Sequence, residues 1–140
     1  MAEYQSFPAK IVTPDGTAFD GMVQELEVPS TAGGLGILAR RAPVVADLKV
    51  GRLRALLEDG TWQTWATQEG FAQASNSTAT VVVEDAVKLE DIDAAAAAEL
   101  VNESTLRVEA AKGGTDEAEL RAAERALEWG EHLTTLAAER

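Results

Sequence analysis

The chain has 140 residues, of which 46% are hydrophobic, enough for one compact domain or a small domain with an appendage. Lys and Arg total 12 against 24 Asp and Glu, a net charge of −12 that argues against nucleic acid, whose phosphates need a basic surface. Cysteine is absent, which excludes disulfides and thiolate chemistry, and no apolar run reaches the roughly 18 residues of a membrane span.

The first ten residues, MAEYQSFPAK, lack the basic start and apolar stretch of a secretory signal, so a cytoplasmic protein is expected. Charge is unevenly spread. Residues 1–89 carry 7 basic and 11 acidic side chains, whereas residues 90–140 carry 5 and 13. Two segments of different electrostatic character follow from that split.

Up to about Asp85 the chain reads as short strands between turns. AKIVT ends at Pro14-Asp15-Gly16, a proline-led turn with a glycine available for positive φ. MVQELEVPS alternates, which predicts Met22, Leu26 and Val28 on one face and Val23, Glu25 and Glu27 on the other. PVVADLKV follows. Asp59-Gly60 is a hairpin signal between RLRALLE and TWQTWAT, and GFAQAS and TATVVVE flank a turn at Asn76-Ser77. Strands at this spacing with no helix between them predict an antiparallel sandwich or flattened barrel. Three residues separate Trp62 and Trp65, so the two should face opposite sides of a strand.

After EDAVKLEDID the pattern changes. AAAAAELVNESTLRVEAAK lacks alternation and is rich in alanine, the best helix former. Asp91 or Asp93 can cap its start, and Gly113-Gly114 stops it. A second helix opens at Asp116 with Glu119 three residues on, a capping box. Its apolar stripe is Leu120, Ala123, Leu127, Gly130, Thr134 and Ala137, with Trp129 displaced by one residue. Such small residues let helices approach closely yet bury little area, so the hairpin is expected to be marginal by itself and able to detach or rearrange.

Catalytic machinery does not emerge. His132 is the only histidine and sits in an acidic helix with no nucleophile beside it. The EDID run, Glu90 to Asp93, does not match a calcium loop, and Gly33-Gly34-Leu35-Gly36 lacks the Gly-Lys-Ser/Thr ending of a phosphate loop. Neither catalytic, metal nor cofactor sites are expected. The residues describe an interaction protein.

In chain order, VTPDGTAFDG (Val12 to Gly21), GGLGILARRAPVV, GRLRALLEDG, EGFAQASNSTATVVVEDA and LEDIDAAAA resemble the corresponding segments of the epsilon subunit of bacterial F-type ATP synthase. The resemblance spans essentially the whole chain. It implies an α+β fold: a β-sandwich of about ten strands over residues 1–88, then a helical hairpin over residues 89–140 that can lie folded or extended. It implies a non-catalytic rotor subunit on the cytoplasmic face of the cell membrane, peripheral and without direct membrane insertion. The implied partners are the gamma shaft, the membrane rotor ring of c subunits and, through the helices, the catalytic α/β head. A free-standing β-sandwich adaptor or ligand-binding module with a helical tail is the competing reading.

Under that resemblance the contact residues for ring or gamma are Gly33, Gly34, Leu35, Arg40, Arg41 and Pro43, with Ile37 and Leu38 re-entering the sheet. The chain departs from the family pattern here: the usual glutamate is Gly34, the Pro-Gly pair is Ala39-Arg40, and the usual histidine is Arg41. Nucleotide-binding members carry Ile-Asp-x-x-Arg-Ala, whereas Ile92-Asp93 leads here to Ala96-Ala97. Only a remnant, Ile92, Asp93 and Arg125, is left of that ATP site, and no ATP binding is expected. The acidic tail is also expected to inhibit hydrolysis weakly, because inhibitory tails in the family rely on basic residues.

Overall fold

The computed structural model describes residues 5–40 and 42–140. They form two compact units that part between Lys88 and Leu89. Nine strands make up the first: β1 (Phe7–Thr13), β2 (Gly16–Ser30), β3 (Gly33–Leu38), β4 (Val44–Leu48), β5 (Gly51–Leu57), β6 (Trp62–Thr67), β7 (Gly70–Ser75), β8 (Thr78–Val83) and β9 (Ala86–Lys88). A 3-10 turn at Leu89–Asp91 opens the second unit, followed by α1 (Ala94–Lys112) and α2 (Glu117–Glu139).

The long strand β2 joins two layers. Its first half pairs with β1, which continues through β8 and β7 to β4; its second half pairs with β3 and with β5, which continues through β6 to β9. The inward side chains of both layers meet in one core that includes Phe7, Ile11, Leu26, Ile37, Leu53, Trp65 and Val81. This is the expected sandwich, with one difference. β1 and β8 run parallel, so the sheet is mixed rather than wholly antiparallel.

Turn chemistry follows the residues. Gly60 takes φ 87°, and the Asp59 carboxylate accepts from the Thr61 amide at 2.9 Å and from its hydroxyl at 2.6 Å. Those bonds to the ionised form hold the Asp59 carboxyl below its ordinary range. Asn76 and Ser77 both have positive φ, the backbone of a two-residue hairpin turn matched to strand twist.

Simple alternation fails in β2. Val23 pairs with Leu57 and Glu25 with Leu56, leaving Gln24 as a bulge whose side-chain amide donates to the Leu57 and Glu58 carbonyls at 3.0 and 3.2 Å. The extra residue shifts the phase. Val23 is therefore fully buried and Met22 is exposed, the reverse of the expected faces. The tryptophans behave as their spacing predicts: Trp65 is 1% exposed and meets Phe19 edge-on at 5.3 Å, while Trp62 is exposed.

In the helical unit Asp93, not Asp91, caps α1, accepting from the amides of Ala95 and Ala96 at 3.0 and 3.1 Å. Asp116 caps α2 by accepting from the Glu119 amide at 3.1 Å. α1 buries Ala97, Ser104 and Val108, and α2 buries Ala123, Trp129, Gly130 and Leu136. The apolar face of α2 is thus wider than the expected stripe: Trp129 and Leu136 form a second row beside it, and Thr134 is exposed. Gly130 lies close against α1, where a Cβ would sit 3.2 Å from the Val101 amide nitrogen.

Candidate partner interface

Three surface features of the strand unit have the composition of contact sites. The first is the β2–β3 hairpin. Alternation in β3 sends Leu35 and Ile37 inward, Leu35 half-buried and Ile37 1% exposed, while Gly34, Gly36 and Leu38 face outward. Ile37 and Leu38 both lie within the sheet as expected, Ile37 facing the core and Leu38 facing out. Gly33 has φ 123°, a conformation that side chains avoid, and a Cβ on Gly34 would meet nothing within 4 Å. The hairpin end is thus a bare strip of backbone open to a neighbour.

After β3 the chain turns at Arg40, which is exposed and left-handed at φ 63°. A non-glycine residue is strained there, at the position where the resembling pattern has glycine. No carboxylate among the described residues pairs with its guanidinium. Arg41 lies outside the described residues. Pro43 is exposed just before β4.

The second feature is the outer face of β4, β7, β8 and β1. Register places Asp47, Phe71, Val82 and Val12 side by side in one row and Val45, Gln73, Thr80 and Lys10 in the next. Val45 is 69% exposed and Phe71 41%. Beside Phe71 a shallow depression of about 320 Å³ runs past Val12, Pro14, Gly70 and Val82. An outward-facing row that is apolar along most of its length is unusual for a sheet that meets only water.

The third feature lies on the outer face of β2, β5 and β6. Glu25 sits beside Leu56 and Trp62, and Glu27 beside Arg54 and Thr64. The Arg54 guanidinium lies 3.1 Å from the Glu27 carboxylate and 4.1 Å above the Trp62 ring. One arginine serves two carboxylates. Partial burial, then a hydrogen bond and repulsion from Glu27, push the Glu25 carboxyl above its ordinary value, against the lowering pull of Arg54.

A carboxyl whose folded pKa is raised contributes stability while it is protonated and loses that contribution as pH rises through the folded pKa. Glu25→Gln should therefore raise the melting temperature at pH 7.5, and the gain should vanish below pH 4. Paired thermal melts at the two pH values check this; an equal gain at both would contradict the assignment.

The residues expected to leave an ATP-site remnant are not brought together. Ile92 is buried, and the Asp93 carboxylate is engaged in capping α1. Arg125 is exposed on α2, fifteen residues before Arg140, which reaches the Ile92 carbonyl. At 1.5 Å per residue that separation is about 22 Å along the helix. His132 is half-buried against Trp129, with ring centroids 6.3 Å apart. Among the described residues no cluster of His, Asp and Glu could hold a metal, and no helix is long and apolar enough to cross a membrane.

The sequence reading named the hairpin and, in the third feature, one outward tryptophan of the Trp62 and Trp65 pair, and it missed the second feature. Outward pairs such as Val45 with Gln73 join strands distant in sequence, so no local pattern marks them. The one available signal was phenylalanine and valine at positions where alternation points outward.

Residues 6–89 match the family model described as ATP synthase, Delta/Epsilon chain, beta-sandwich domain. The chloroplastic ATP synthase epsilon chain of Cyanidium caldarium is 34% identical over 110 residues, covering 79% of this chain and 82% of that one. The ATP synthase epsilon chain of Latilactobacillus sakei is 34% identical over 131 residues, covering 91% and 90%. Among solved structures, a chain of the Euglena gracilis mitochondrial ATP synthase, in an assembly of OSCP, F1 and c-ring, superposes with a TM-score of 0.76 at 23% identity, covering 99% of this chain and 85% of that one. A chain of the Tetrahymena thermophila central stalk and c-ring gives 0.58 at 12% identity, covering 97% and 99%. At those identities the two structures speak to fold alone.

Proposed function

The chain belongs to the delta/epsilon-chain family of ATP synthase, and from that premise we propose that it fastens the gamma shaft to the membrane rotor ring of a proton-translocating F-type enzyme. It is a non-catalytic subunit of the central stalk. What supports the coupling role most is the outward row of Phe71, Val82 and Val12 with Val45 beside it, a surface suited to a permanent protein neighbour. That face takes the gamma shaft. The β2–β3 hairpin and the turn at Arg40, with Gly33, Gly34, Leu35 and Pro43, take the polar loops of the ring.

The arrangement fits a mechanical task. A rotor clamp has to transmit torque without bond chemistry, which asks for a stiff body with two separate grips. One core spanning both layers supplies the stiffness. Backbone exposed at Gly34 permits close approach at one grip, and apolar side chains provide area at the other. The subunit sits peripherally on the cytoplasmic face of the cell membrane, held by its partners. Its acidic helices contribute little inhibition of ATP hydrolysis in the catalytic head, since like charge opposes their entry beside acidic surfaces.

Charge reversal tests the ring contact. Arg40→Glu together with Arg41→Glu should lower recovery of the chain with purified c-ring several-fold at low salt, with a smaller effect at high salt, as expected of exposed ion pairs worth up to about 1 kcal/mol each. Unchanged recovery at low salt would remove the arginines from the interface.

A further inference from the structure

The two ends of the helical hairpin are secured differently. At the closed end Gly113-Gly114 joins α1 to α2, and the Arg107 guanidinium also donates to the Glu119 carboxylate at 3.1 and 3.0 Å. At the open end no peptide bond joins the helices. There Arg140, one residue beyond α2, sends its Nη1 among three backbone carbonyls: Leu89 at 3.1 Å, Glu90 at 3.5 Å and Ile92 closest of all.

Those carbonyls belong to the 3-10 turn and the residue after it. The Leu89 carbonyl also accepts from the Ile92 amide at 3.4 Å within the turn, so Arg140 shares that acceptor. A cationic donor suits such a cluster, since its charge strengthens each bond.

The hairpin interior gives such a contact unusual weight. Gly130 and Ala123 on α2, and Ala97 on α1, bury little area each, and the larger buried side chains of the helices are Val108, Trp129 and Leu136. Ser104 is fully buried, and its hydroxyl finds no hydrogen-bond partner, which is unfavourable. A few charge-assisted bonds act most strongly at the end where the helices are free to separate.

We propose that Arg140 is a latch that keeps the open end of the hairpin shut by gripping the carbonyls of Leu89, Glu90 and Ile92, at the junction where the two units part. Release of the latch lets α2 swing from α1 about the Gly113-Gly114 turn while both helices stay wound. The inference concerns the isolated chain and stands whether or not the rotor assignment does.

The chain has no cysteine, so paired labels report without background. Ala95 and Ala138 are exposed near the open end. Spin labels on the full chain carrying Ala95→Cys and Ala138→Cys should give one narrow distance by pulsed electron resonance. Adding Arg140→Ala should raise the long-distance population at least fivefold. Arg140→Lys should give an intermediate value, because the shorter side chain keeps the charge but reaches the carbonyls less well. Arg107→Ala should leave the distribution unchanged, because the turn already closes that end.

Circular dichroism separates opening from unfolding, and the helical signal should persist in Arg140→Ala. An unchanged distance distribution in Arg140→Ala, equal opening in Arg107→Ala, or loss of helical signal on removing Arg140 would each overturn the latch.

Discussion

Replacing Gly70 with alanine should cost the protein at least about 3 kcal/mol, a large share of the 5–15 kcal/mol that holds a domain folded. Gly70 opens β7 opposite Val83, and an added Cβ would lie 1.9 Å from the Val82 carbonyl oxygen and 2.7 Å from the Val83 Cα. Both obstacles are backbone atoms of a paired strand, so neither can rotate away. Relief requires parting β7 from β8 in the middle of a layer whose inner face carries Ala72, Val81 and Val83. The melting temperature should fall by roughly 10 °C. Gly34→Ala is the matched control: its Cβ meets open space, and stability should stay the same or rise slightly. A Gly70→Ala protein that melts with the parent would mean that β7 and β8 are paired differently.

A double substitution, Val45→Asp with Phe71→Asp, should do the opposite. Both side chains are already in water, at 69% and 41% exposure, so the isolated chain should keep its stability within about 1 kcal/mol. Binding to gamma should nevertheless weaken at least about 100-fold, because a buried aromatic anchor is commonly worth 2 kcal/mol or more and a carboxylate in its place must be desolvated. Titration calorimetry with purified gamma reads the loss, and thermal melts of the same sample read the stability. Full affinity in the variant would move the shaft contact to another face.

How far the sequence foretold this structure depended on whether the deciding interaction was local. Asp59-Gly60 declared its hairpin because the turn needs positive φ and a carboxylate two residues before the Thr61 amide. Asp116 and Glu119 declared the start of α2 for a similar reason. The three-residue spacing of Trp62 and Trp65 put one outside and one inside. Each of these is settled within a few residues of chain.

Where distant strands decide, the reading slipped. Alternation through β2 gave the wrong faces to Met22 and Val23 because the bulge at Gln24 exists only against Leu56 and Leu57 on β5. The parallel pairing of β1 with β8 joins residues seventy positions apart, and no periodicity announces it. Trp129 fell beside the expected stripe, yet both it and Leu136 are buried, so the covered face of α2 is wider than its periodicity shows. The candidate interface divides along the same line: the glycines of β3 stand out in sequence, whereas the row through Phe71, Val82 and Val12 comes from three strands.

ATP synthesis driven by an imposed proton gradient tests the rotor assignment most directly. Vesicles would carry the enzyme stripped of this subunit, with the purified chain then added back. Synthesis should be lost on stripping, restored by the chain, and not restored by the Val45→Asp, Phe71→Asp variant. Synthesis at the full rate without the subunit would show that gamma and ring turn together unaided, and that the two grips described here do not couple them.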